Sequence, residues 1–139
     1  CGFTLSELMI RLAMIAIHGA AGYPSYVAHI QRSRIADATA QLSMTRVRLE
    51  QFYQDNRHYG ATASACGVAM PAADQFTISC NWGGGGTNQT FLLTAIGNSG
   101  SAMDGFEYTV DHANVQATTA FPGATVPATC WLQRKGDAC

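Results

Sequence analysis

The side chains able to do chemistry in this chain are few, and most of them read as structural. Five cysteines are present: Cys1, Cys66, Cys80, Cys130 and Cys139. None forms a C-x-x-C pair and no histidine pair stands nearby at zinc spacing, so they read as disulfide partners and no metal site is expected. The simplest pairing joins Cys66 to Cys80 and Cys130 to Cys139, closing two short loops and leaving Cys1 over; four cysteines can pair in three ways. Disulfides place the domain in an oxidising compartment. His58, His112 and the serines and aspartates lie in no nucleophile motif such as G-x-S-x-G, so no catalytic residue is assigned and the chain does not read as an enzyme. The run WGGGGT, residues 82–87, lacks the Gly-Lys-Ser/Thr ending of a phosphate loop and reads as a flexible connection. No cofactor is expected.

Charge placement carries more information. Glu7, Arg11 and His18 stand inside an otherwise apolar stretch, and Arg11 follows Glu7 by four residues in the order that favours an ion pair within one helix. At the other end, CWLQRKGDAC puts Arg134 and Lys135 near Trp131 inside a cysteine-bounded loop. Basic groups beside an aromatic suit DNA through phosphate contacts and stacking, although two charges make a thin patch. The whole chain offers no global field for nucleic acid, because its formal net charge is −1. Charged residues are 12% of the chain and hydrophobic ones 47%, so part of its surface is expected to meet something other than water.

The elements that must position these groups follow from the pattern. Residues 5–56 contain one proline, Pro24, and two glycines, Gly19 and Gly22. They read as one long helix of about 50 residues, ~75 Å, with a weak or kinked zone at residues 19–24. Its first half is apolar almost all round and suits lipid or a helix bundle. In its second half Ile35, Ala38, Leu42, Leu49 and Phe52 make one apolar stripe, with Arg34, Asp37, Gln41 and Arg48 off it. Arg46 and Glu50 are spaced to pair on the solvent side. Beyond Tyr59, the segments 76–80, 89–96, 105–110, 114–121 and 130–133 have strand character, and residues 111–114 read as a hairpin connection. The expected fold class is α+β: one long N-terminal helix packed on a roughly four-stranded antiparallel sheet with disulfide-closed loops. The expected division is residues 1–30, the hydrophobic helix, and residues 31–139, a globular head.

GFTLSELMI, residues 2–10, followed by a long apolar helix, resembles the N-terminus of type IV pilins. Pro24 in YPSY, the basic Arg32-Ser33-Arg34 and the C-terminal cysteine loop also sit where that family has them. The resemblance spans the chain and is closest to Gram-negative pilins of the group that includes minor pilins and a competence-type DNA receptor. It implies a peptidase cut between Gly2 and Phe3, N-methylation of Phe3, and a role for Glu7 in assembly through the amine of a neighbouring copy's Phe3. Arg11 departs from the pattern, since the family is usually apolar there, and offers Glu7 a partner in its own chain. The zone before Pro24 is expected to lose helical bonds when a fibre forms.

The implied function is that of a structural subunit of an extracellular filament. The subunit is held first in the inner membrane, extracted by an assembly platform, and stacked with identical copies to support adhesion, twitching motility or DNA uptake. Two other roles stay open: a DNA-binding minor pilin for natural transformation, with Arg134 and Lys135 as contacts, and a secretion pseudopilin, a type that usually lacks the terminal cysteine loop.

Overall fold

The sequence Thr4-Leu5-Ser6-Glu7 has the form of a helix-opening capping box, and the backbone turns helical there. In the computed structural model, which describes residue 2 and residues 4–139 (residues 20–22 as backbone only), helix α1 runs Leu5–Asn56. Cys1 and Phe3 lie outside the described residues. The Thr4 hydroxyl accepts from the Glu7 amide at 3.3 Å, and Glu7 places a negative charge in the first turn, where the helix dipole favours it. At the far end Arg57 adopts φ 61° and its amide reaches the Tyr53 carbonyl at 2.8 Å, a left-handed stop. The helix is assigned without a break through Pro24, although proline brings no N–H to its ladder.

The chain divides into two compact units, Cys1–Gln31 and Arg32–Cys139. In the first, the described side chains of residues 4–29 are exposed apart from a half-buried Glu7. The second unit has its own core. The remainder of α1 turns Ile35, Ala38, Leu42 and Leu49 inward, with Phe52 half-buried, so the apolar stripe read from the spacing is the packing face.

That face lies on a sheet of four strands in chain order, β1 (Phe76–Asn81), β2 (Leu92–Gly97), β3 (Glu107–Asp111) and β4 (Gln116–Ala120), each antiparallel to its neighbour. In β1, Phe76, Ile78 and Cys80 are buried and alternate with exposed Thr77, Ser79 and Asn81, the pattern of a strand wet on one face. In β3 the alternation fails, because Tyr108, Thr109 and Val110 are all buried. The reason is the C-terminal segment, whose Trp131 covers the outer face and donates Nε1–H to the Thr109 carbonyl at 2.8 Å.

Two expectations are corrected. Residues 130–133 are not a strand: the Leu132 amide donates to the Thr118 hydroxyl at 3.0 Å, and that hydroxyl donates to the Cys130 carbonyl at 2.7 Å. A side chain thus replaces the backbone ladder that strand-like composition suggested, and the nearest backbone bridge to β4 joins Thr118 to Ala128, before this segment begins. Glu50 does not pair with Arg46 among the described residues. Its carboxylate accepts from the Tyr59 hydroxyl at 3.2 and 3.3 Å, because the chain beyond α1 brings Tyr59 back against the helix.

Candidate functional site

Leu5, Leu8, Met9, Ile10, Leu12, Met14, Ile15 and Ile17 are all largely exposed, from 55% to 80%. This part of α1 is long and apolar enough to cross a membrane, and none of its most apolar window is buried. Such a surface is stable only against lipid or other apolar helices. Glu7 and Arg11 meet at 2.6 Å across one turn, and His18 donates Nδ1–H to the Met14 carbonyl at 2.7 Å. Gly2 precedes the helix and is exposed, and Pro24 lies on it, also exposed.

The second cluster closes the chain. Disulfides join Cys66 to Cys80 and Cys130 to Cys139. Within the C-terminal loop the Asp137 carboxylate accepts from the amides of Gln133 at 3.1 Å and Arg134 at 2.8 Å, and its other oxygen stands 3.6 Å from Arg134 Nε. Arg134 is therefore partly compensated by its own loop. The stem of Lys135 runs beside Gly123, where an added Cβ would lie 3.0 Å from Lys135 Cε. An open cleft of about 460 Å³ lies between the loop of residues 123–129 and the loop end, lined by Ala124, Pro127, Leu132 and Asp137. Arg34 is paired with Asp74, and no group of three or more metal-ligating side chains gathers among the described residues.

Two buried tyrosines fix the head around these loops. Tyr108 donates its hydroxyl to the Leu132 carbonyl at 3.0 Å, and burial raises its pKa well above the usual tyrosine value. Tyr59 is pushed up to about 12, by burial first and then by the Glu50 carboxylate beside it. Sequence reasoning missed Thr118, Asp137 and the Arg34–Asp74 pair. An aspartate three residues after Arg134 was a readable signal, whereas nothing local links positions 34 and 74.

The profile of a family described as "Type IV minor pilin ComP, DNA uptake sequence receptor" matches residues 24–109. The chain belongs to the type IV pilin family. The matched span covers the second half of α1 and the sheet through β2 into β3, so the N-terminal motif and the C-terminal loop of this pilin lie outside it. It is 30% identical over 93 residues to the fimbrial protein EcpC of Eikenella corrodens, covering 67% of this chain and 61% of that one. It covers only 44% of a type IV major pilin of Neisseria gonorrhoeae. The non-core minor pilin PilV of Neisseria meningitidis shares the fold at TM-score 0.55 and 14% identity, covering 72% of this chain and 96% of that one. A type IV pilin from Shewanella oneidensis does so at TM-score 0.51 and 20% identity, covering 73% and 98%.

Proposed function

We propose that this pilin is a subunit of an extracellular type IV pilus, with residues 5–30 serving first as membrane anchor and then as the segment by which copies stack into the filament. The observation that carries this reading is the run of exposed large apolar side chains from Leu5 to Ile17. Moving it from lipid to the helices of other copies exchanges one apolar environment for another, so assembly needs no covalent bond. Cleavage between Gly2 and Phe3, methylation of Phe3, the assembly platform and an inner-membrane precursor belong to the same proposal. Its activity is assembly rather than catalysis. The test is to shear filaments from cells, image them and identify this chain in them. An abundant homopolymer supports a major subunit and scarce incorporation a minor one, while absence from both filaments and membranes overturns the reading.

A second reading, a DNA receptor within the filament, is favoured by the description of the matched family. In it the C-terminal loop offers Lys135 and the partly compensated Arg134 to phosphates, near Trp131. The loop lies beyond the matched residues, so binding to the full chain in detergent should be titrated against salt. Loss of about one unit of salt slope on Lys135→Ala supports the loop as the contact. Salt-independent binding, or none, overturns the receptor reading.

A further inference from the structure

Five polar side chains interrupt the apolar sequence of residues 4–18, and each finds a partner within that same stretch. Thr4 caps the first turn and meets the Ser6 hydroxyl at 3.2 Å. His18 is bonded to the Met14 carbonyl one turn earlier. Glu7 and Arg11 close on each other at 2.6 Å, with Leu8, Met9, Ile10 and Leu12 around them in sequence. The segment therefore carries two opposite charges on adjacent turns and no net charge between them.

In water this pair contributes little, because both groups are near half exposed and solvent screens them. In lipid or among packed helices the balance changes. Desolvation makes an unpaired carboxylate or guanidinium costly, and the same low dielectric strengthens the pair that remains. Position 7 precedes position 11, the order in which a helix holds an acidic-basic pair best, so the partner is available before the segment leaves water.

We infer that Arg11 is the resident counter-ion of Glu7, and that with it this helix enters an apolar environment without a positive charge supplied by a second chain. Arg11 is a positioning residue, since it acts through the Glu7 carboxylate. The inference rests on the filament reading above, because only a segment that leaves water requires such compensation. It also separates two uses of Glu7. A carboxylate held by its own helix is dispensable together with its partner, whereas one that binds another chain is not.

The test compares the full-length chain as wild type, Glu7→Leu, Arg11→Leu and the double variant, expressed in cells that make the filament. The readouts are the share in the carbonate-resistant membrane fraction and the share in sheared filaments. Each single substitution takes one member from the Glu7–Arg11 pair and should lower filament incorporation by roughly tenfold or more, while the double variant returns to within about threefold of wild type. A double variant as deficient as Glu7→Leu overturns the inference, as do single variants that assemble normally. Wild type missing from both fractions overturns the filament reading instead, so the two failures are told apart.

Discussion

Thr118 is the group on which the placement of the C-terminal loop turns, and replacing it with valine removes that hold while keeping the shape. The side chain is fully buried, and its hydroxyl is donor to the Cys130 carbonyl and acceptor from the Leu132 amide at once. Thr118→Val leaves both backbone groups without their partner. Leu132 is only 2% exposed, so its amide has no water to turn to and should cost about 1–3 kcal/mol. The Cys130 carbonyl belongs to a half-buried residue and should add about 1 kcal/mol or less. The expected loss is therefore roughly 1–4 kcal/mol, against about 1 kcal/mol or less for Thr118→Ser, which keeps the hydroxyl and gives up one methyl. Urea unfolding of the chain in mild detergent, followed by tryptophan fluorescence, measures it, since Trp131 sits on the same segment. A valine variant within about 0.5 kcal/mol of wild type, or a serine variant as damaging as valine, would refute the reasoning.

Tyr59 gives the head an alkaline limit. Below pH 10 both states hold its proton, and above it the unfolded chain ionises while the folded one waits until about pH 12, so stability should fall across that window by roughly 2–3 kcal/mol. Tyr59→Phe should flatten part of the fall in urea midpoints measured against pH. Gly97, paired with Phe76, has no room for a side chain, because a Cβ there would run into the Met103 carbonyl. Gly97→Ala should cost roughly 2–3 kcal/mol in thermal unfolding, and a neutral result would show that the loop ending at Met103 yields freely. Cys139→Ser opens a bridge of sequence separation 9 and should lower stability by about 2–3 kcal/mol, read as a fall in melting temperature and faster proteolysis beyond Cys130.

Periodicity made the helix and its inner face legible, because Ile35, Ala38, Leu42 and Leu49 report burial through spacing alone. It did the same for β1, where one face is wet. It failed where a third layer intervenes. Thr109 belongs by composition to an outer face, but Trp131 arrives from 22 positions away to cover it, and no local pattern signals such a return. Residues 130–133 were misread for a related reason: strand propensity describes a side chain that fits a pleated surface, not whether a ladder partner exists. The Glu7–Arg11 pair was legible because both ends lie on one helix turn. The compensation of Arg134 by Asp137 was equally local but passed unread, since its chief contacts are backbone amides of the loop.

The magnitudes divide the work along the exposed half of α1. Eight large apolar residues from Leu5 to Ile17 are each more than half exposed; completing their burial is worth about 1 kcal/mol or more apiece, on the order of 10 kcal/mol together. Arg11 opposes this by ~2.5–3.5 kcal/mol at most, the insertion cost of an arginine at a helix centre, and less near a helix end, where its long stem lets the charge reach the interface. The apolar term therefore outweighs the charge and favours transfer of the segment out of water. The charges act on a different question, because a hydrophobic surface is indifferent to sliding along its partner by one turn, whereas a desolvated charge is not. Substituting one of the eight apolar residues should change affinity for the apolar phase by about a tenth of the total, while unpairing Glu7 from Arg11 changes which depths and registers are tolerated at all.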